Sequence, residues 1–299
     1  MSCDGVLNIL KPPGMTSHDV ISVVRRTLGL RRVGHAGTLD PDATGVLPVF
    51  CGLATRFIEY FDGHDKTYRF WVTFGEKTDS GDDSGHVIAT SPVRPLKRQE
   101  IENALAALTG PQEQIPPMYS AVHYQGKRLY ELARAGLVVE RAPRSIEIKR
   151  LQLLLQTPSQ LLIEAACSKG TYIRTLAETV AERLDMVGTV SFLLRTEAGP
   201  FSVHEANTLE EIREKGAALL QPVDRYMGLI PALQLSPSEV IDFAVGKTII
   251  LSENKQWPSI DAIIRVYDEA AHFLGMGRRT SQGLRPVKVL PDAGSHIDI

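Results

Sequence analysis

Cysteine is scarce in this chain: Cys3, Cys51 and Cys167 are odd in number and widely separated. That spacing excludes a disulfide framework and a zinc site built from closely paired ligands, so reduced, buried thiols are expected. Long apolar runs are missing too. No stretch of about 18 apolar residues occurs, and the opening Met-Ser-Cys-Asp-Gly carries neither a cationic segment nor an apolar core. Neither a membrane span nor a secretory leader is expected, and the cytoplasm is the expected compartment. A surplus of charge is also lacking, since 33 Lys and Arg stand against 35 Asp and Glu. Whole-molecule electrostatics therefore give a nucleic acid no reason to bind, and such a partner must be held by local clustering. Low-complexity segments are absent and glycine and proline are dispersed, which excludes fibrous and disordered classes.

What is present is an ordinary globular chain of 299 residues, 43% hydrophobic, long enough for one large core plus an appended domain of ~70 residues. Val6 to Leu10, stopped by Pro12, Pro13 and Gly14, suits a strand entering a turn. Thr16 with Asp19 reads as a helix N-cap, followed by a stripe of Val20, Ile21, Val23 and Val24 that ends near Gly29. Residues 33–48 have neither helical nor strand periodicity and are expected as a structured loop. Tyr68, Phe70, Val72 and Phe74 alternate as in a strand, and Lys77 to Gly85 reads as a hairpin or loop. Ile101 to Leu108 predicts a helix closed by Gly110 and Pro111. Strands follow over Ser145 to Leu155 and Leu161 to Cys167, then a helix carrying Ile173, Leu176, Ala177, Val180 and Leu184, and a capping box at Thr208 and Glu211. After about residue 230 the chain turns to short β-rich runs, Ile260 to Tyr267, Ala271 to Met276 and Val287 to Leu290. Helices and strands mix without a βαβ rhythm, so the expected class is α+β.

The segment GHAGTLDPDATGVLP, residues 34–48, holds Asp40 in a tight turn among small residues that let a ligand approach the backbone. Arg25, Arg26, Arg31, Arg32 and His35 precede it as a basic cluster. Taken alone, Asp40 could equally be a turn residue before Pro41, and the arginines a solvated helix end.

Together with LNILKPPGMTSHD near the start, KTYR at 66–69, PPMYSAVHYQGKRLYELARAG at 116–136 and CSKGTYIRTLAE at 167–178, this segment resembles the bacterial tRNA pseudouridine-55 synthases, the TruB-type family. The likeness covers essentially the whole chain, more weakly at FLGMG, 273–277, and at the end of the chain. It implies an α+β catalytic domain over 1–230 with a mixed, largely antiparallel sheet and a central cleft, and a small β-rich PUA-like domain over 231–299. It implies an isomerase that breaks the glycosidic bond of a T-loop uridine and rejoins the base through C5, with no metal and no cofactor. The catalytic aspartate of that family falls on Asp40, its arginine partner on Arg174, and the tyrosine that stacks on the flipped base on Tyr68. Tyr172 falls in the same pocket, His35 on the residue that fills the space left by the flipped base, Leu193 on a pocket leucine, and Lys11 near the active-site loop, where a structural role comes ahead of RNA contact. Whether the carboxylate attacks the base, attacks the sugar or abstracts a sugar proton is left open. The implied partner is tRNA, held at its T stem-loop and, through the tail domain, at the acceptor stem, by a monomer that needs no protein partner and no membrane.

Two positions depart from the family pattern: Asp42, where a neutral residue is expected, and Leu194, where an arginine is common. Asp42 creates a rival, because Asp40-Pro-Asp42-Ala-Thr44 fits the D-x-D-x-T pattern of aspartyl-phosphate phosphotransferases. Such a motif follows a buried apolar strand, whereas Gly34-His35-Ala36-Gly37 precedes it here. No Gly-Lys-Ser/Thr follows the glycines, which excludes a P-loop, and the acidic run from Asp79 has Thr90 at the twelfth position where a calcium loop needs glutamate. A binding-only RNA module and a guide-RNA-dependent synthase are the other rivals. The first has no need of Asp40, Tyr68 and Arg174 together, and the second is expected to carry long basic extensions.

If phosphates dominate the grip on RNA, affinity falls steeply with salt despite the near-neutral net charge. Titrating tRNA at several salt concentrations measures the slope, and a flat response excludes phosphate-dominated binding.

Overall fold

A computed structural model describes residues 4–250, 257–291 and 293. The first half of the chain runs β1 (Gly5–Lys11), α1 (Ser17–Leu28), β2 (Val33–His35), β3 (Thr44–Cys51), a 3-10 segment (Gly52–Tyr60) and β4 (Lys66–Phe74). Next come β5 (Glu76–Thr78), β6 (Val87–Thr90), α2 (Arg98–Ala107), β7 (Gly110–Gln114), β8 (His123–Tyr124), β9 (Lys127–Arg128) and α3 (Leu129–Arg134). The main unit closes with β10 (Arg144–Gln156), β11 (Gln160–Cys167), α4 (Ile173–Arg183), β12 (Gly188–Ala198), β13 (Phe201–Ser202) and α5 (Leu209–Lys215). The tail adds β14 (Ala232–Gln234), α6 (Pro237–Ala244), β15 (Ile249–Ile250), β16 (Ile263–Tyr267), β17 (Phe273–Arg279) and β18 (Gly283–Val289).

Local chemistry explains the first turn of the fold. The Thr16 side chain accepts from the Asp19 N–H and the Asp19 carboxylate accepts from the Thr16 N–H, a reciprocal cap that satisfies two orphan donors. Val20, Ile21 and Val24 then face inward, and Gly29 ends the helix at φ 64°, a left-handed position that glycine adopts without strain. Thr208 and Glu211 cap α5 in the same way.

Seven strands follow the order β1-β3-β12-β4-β11-β10-β7, with β2 joined to β3 and β13 to β12. Every pairing in this sheet is antiparallel except one: β12 meets β3 in parallel over Leu194↔Thr44 and Arg195↔Gly45. This short seam divides the sheet into a half built on β1 and β3 and a half built on β4, β10 and β11. Each half has its own core, Leu7, Ile9, Leu47 and Val49 with α1 on one side, and Phe70, Val72, Ile163, Leu176 and Val180 with α4 on the other. The mixed, largely antiparallel α+β architecture matches the expectation, and Cys51 and Cys167 are buried thiols outside any disulfide. Cys3 lies outside the described residues.

Two expectations need correction. Residues 33–48 are a loop only at 36–43, because β2 and β3 pair with each other across it. Their short, Gly- and Pro-containing strands carry no readable alternation, since β3 is buried on both faces. Gly110 and Pro111 do not simply end a helix but begin β7, whose pairing with β10 a local sequence cannot announce. The tail is β-rich as expected, with one helix added: the Ser236–Glu239 capping box opens α6 against a five-stranded sheet of order β14-β16-β17-β18-β15.

This tail sheet shares a core with the main unit. Met276 is fully buried in one cluster with Phe57, Val223 and Tyr226, and the Phe57 and Phe273 rings lie 5.6 Å apart. Arg56 Nη1 donates to the Val289 carbonyl at 2.8 Å, and the Tyr267 hydroxyl to Asp224 at 3.1 Å. Among the described residues no helix is long and apolar enough to cross a membrane.

Phe57→Ala empties a fully buried site, so it should lower stability by about 3–5 kcal/mol. Denaturant unfolding checks this, and because the two units share that core the wild type is expected to unfold in one transition.

Candidate active site

The site is built around the loop 36–43, which reaches from β2 to β3 at the seam of the sheet. Three buried side chains hold it from below. Lys11, with no exposed surface, donates from Nζ to the carbonyls of Pro12, Met15 and Pro41 at 2.9, 2.6 and 2.8 Å. Ser17 Oγ accepts from the Leu39 N–H at 3.0 Å and donates to the Leu39 carbonyl at 3.2 Å. Arg195, also without exposed surface, donates to Val46, Gly37 and Thr38 carbonyls at 2.8, 2.9 and 3.4 Å. Gly45 permits this: a Cβ there would lie 2.2 Å from the Arg195 carbonyl oxygen.

Above this base, Asp40 meets α4. Arg174 Nε lies 2.9 Å from Asp40 Oδ2, while its Nη1 donates to the Ser80 carbonyl and its Nη2 to the Tyr119 carbonyl, both at 2.8 Å. Asp82 Oδ2 stands 3.7 Å from Nη1. Only 6% of the Arg174 side chain is exposed, whereas 40% of the Asp40 side chain opens to the cleft. Burial pushes the Asp40 carboxyl above the ordinary carboxylate range, and the Arg174 charge pulls it back toward ionisation.

The cleft beside this pair has a volume of about 570 Å³ and is lined by Asp40, Tyr68, Tyr172, Arg174, Leu193 and Arg195 among others. Tyr68 sits on β4 opposite Arg195 of β12 and Ala165 of β11. It is 8% exposed, and burial raises the pKa of its hydroxyl while the Arg195 charge opposes that rise. Tyr172 precedes α4 and is fixed by the Gln114 side-chain amide, which accepts from the Tyr172 N–H at 2.7 Å and donates to its carbonyl at 3.0 Å. Lys66 Nζ donates to the His64 carbonyl at 2.8 Å at the cleft wall, where burial lowers its pKa.

Asp40, Tyr68, Tyr172, Arg174 and Leu193 are thus brought to one cavity. Lys11 is not: three carbonyls engage its ammonium beneath the loop, which is the structural place of the two considered and leaves no surface for RNA contact. His35 also stands off the cleft, half-buried on β2 at the foot of the loop with its Nδ1 unpaired. Burial and the Arg195 charge lower its pKa, so it is biased toward the neutral form. Arg26, Arg31 and Arg32 are exposed at and just beyond the end of α1, with Arg25 half-buried. Sequence reasoning passed over Arg195, Lys66, Asp82 and Gln114. The LLRT segment signalled Arg195 and the acidic loop signalled Asp82, but nothing local marked Gln114, which acts from a different strand.

The divided, mixed sheet that carries this pair is that of the pseudouridine synthase fold. Solved structures share it: an H/ACA RNP bound to a substrate RNA containing 2′-deoxyuridine superposes with a TM-score of 0.73 at 21% identity, over 97% of this chain and 86% of that one. A Cbf5-Nop10-Gar1 complex gives 0.72 at 22%, over 95% and 84%. The N-terminal domain model of the TruB family pseudouridylate synthases matches residues 25–173, and that of the pseudouridine synthase II TruB C-terminal domain matches 231–290. A tRNA pseudouridine synthase B from Caldanaerobacter subterraneus is 42% identical over 97% of this chain and all of its own. Another from Symbiobacterium thermophilum is 51% identical over 78% of this chain and 79% of its own. The chain belongs to the TruB family of pseudouridylate synthases.

An activity that uses ionised Asp40 is expected to fall on acidification at a pH above the ordinary aspartate value of ~3.9, because burial raises its pKa. Arg174→Gln removes the opposing charge, so the acid limb should move to still higher pH. Single-turnover rates across pH measure both limbs, and coincident profiles would show that Arg174 does not control the ionisation.

Proposed function

We propose that this isomerase converts the T-loop uridine at position 55 of tRNA to pseudouridine, with Asp40 as the catalytic carboxylate. The observation that carries the assignment of Asp40 is its pairing at 2.9 Å with a buried arginine, at the wall of a cavity that also holds a buried tyrosine. The reaction breaks the N1–C1′ bond, turns the base and forms a C5–C1′ bond, while the proton on C5 is lost and N1 gains one. Composition is unchanged, so no oxidant, reductant or leaving group is required. An aspartate that stays ionised beside sugar and base is the group this chemistry needs, as nucleophile or as base.

The uridine must leave the folded T loop to reach Asp40, which costs a few kcal/mol. Stacking on Tyr68 returns ~1–3 kcal/mol, and Leu193 and Tyr172 close the pocket around the base. Arg174 orients Asp40 and keeps it ionised. His35, neutral and with a free ring nitrogen at the foot of the loop, fills the space vacated by the base. Arg26, Arg31 and Arg32 hold phosphates of the T arm, and the domain over 231–299 extends the grip to the acceptor stem. The domain over 1–230 carries the chemistry, and the enzyme works alone on tRNA.

Incubation with an unmodified tRNA transcript, read by nucleoside mass spectrometry and position-specific probing, tests this. Wild type should convert a single T-loop uridine, and Asp40→Asn should bind with similar affinity yet convert it more slowly by at least about 10²–10⁴-fold. Conversion by Asp40→Asn at the wild-type rate would remove Asp40 from the mechanism.

A further inference from the structure

One hydroxyl in the active-site cavity has no partner. Ser120 lines the same cavity as Asp40, Tyr68, Tyr172 and Arg174 and is only 5% exposed, yet its Oγ makes no hydrogen bond among the described residues. Buried hydroxyls are ordinarily satisfied, because an unpaired one forfeits its bonds to water without replacement. The backbone around it is satisfied throughout: the Ser120 N–H donates to the Met118 carbonyl at 2.9 Å, and its own carbonyl accepts from the Tyr130 N–H at 3.1 Å. The segment is also tied to the reacting centre, because the guanidinium that binds Asp40 through Nε donates through Nη2 to the carbonyl of Tyr119. Ser120 is therefore held across a single guanidinium from the carboxylate, in the same cavity as the buried tyrosine.

We infer that the Ser120 hydroxyl is a substrate-binding group, completed by a neutral hydrogen-bonding group of the flipped nucleoside, either the base edge or the ribose 2′-hydroxyl. This deepens the pseudouridine synthase reading and rests on it. A phosphate is a poorer match for a neutral, nine-tenths buried hydroxyl, since Lys66, Arg144 and Lys169 line the same cavity and supply cations for it. A serine hydroxyl both donates and accepts, so it serves either neutral group. Because Oγ has no partner in the free protein, its removal deletes no internal bond. That separates a binding role from a structural one.

The test uses the full chain. Ser120→Ala is compared with wild type for Tm and for kcat and KM on an unmodified transcript. In an Asp40→Asn background, with and without Ser120→Ala, Kd is measured for T-arm stem-loops carrying uridine or 2′-deoxyuridine at the target. Tm should be unchanged or higher, and kcat/KM and the uridine affinity should fall by about five- to tenfold. A penalty that disappears with 2′-deoxyuridine assigns the bond to the ribose, and one that persists assigns it to the base edge. Wild-type kcat/KM and Kd in Ser120→Ala overturn the inference, as does a loss of activity accompanied by a lowered Tm. Wild-type enzyme that makes no pseudouridine overturns the underlying function instead.

Discussion

Two fully buried cations beneath a single loop are the constraint on which the site depends. An ammonium or guanidinium taken out of water costs several kcal/mol unless its donors are met, and Lys11 and Arg195 meet theirs with carbonyls of the loop that carries Asp40 and of the segments beside it. The loop therefore cannot relax without leaving a buried charge short of acceptors. Burial lowers the Lys11 pKa to about 8, and Asp42 is the largest of the charges that oppose this, ahead of Asp40. The aspartate that departs from the family pattern thus has an electrostatic consequence: from an exposed position it helps keep the buried lysine protonated.

Arg174 performs the complementary task from above. Its guanidinium joins the Asp40 loop to the β5–β6 turn at Ser80 and to the irregular stretch at Tyr119, so three segments distant in sequence converge on one planar group. A guanidinium suits this place because its donors are fixed in a plane and point in different directions, which a lysine's single ammonium cannot reproduce. Gly81 is needed alongside, at φ 78°, because a Cβ there would lie 3.2 Å from the Arg174 Cβ and 2.9 Å from Glu178 Oε1.

Where chemistry is local, the sequence was readable. The caps at Thr16 and Thr208, the alternation of β4 and the apolar stripe of α4 all rest on neighbours within a few residues, and the structure matches each of them. Residues carried over from the family motifs were brought together where their segments meet at the cavity, as for Asp40, Tyr68 and Arg174. Partnerships across the sheet were not readable. The β2–β3 pairing, the start of β7 at Gly110 and the grip of Gln114 on Tyr172 depend on strands whose register no local pattern encodes. Lys11 was legible only in part: its motif pointed to a structural role near the active-site loop, and the fold alone reveals the carbonyls arranged to bury its ammonium.

The near-neutral net charge is compatible with an RNA substrate because charge acts here over short distances. At physiological salt, exposed charges are screened beyond about 8 Å, so a phosphate near the end of α1 responds to Arg26, Arg31 and Arg32 and not to the total. Several acidic side chains are also paired internally, Glu164 with Arg69 and Arg150, and Asp65 with Lys149. Of the carboxylates near the cleft, Asp40, Asp82 and Asp42 lie next to Arg174 or Lys11. A chain balanced in total can therefore keep exposed cations at the end of α1 and a carboxylate open to the cleft, on the loop that the buried cations hold in place.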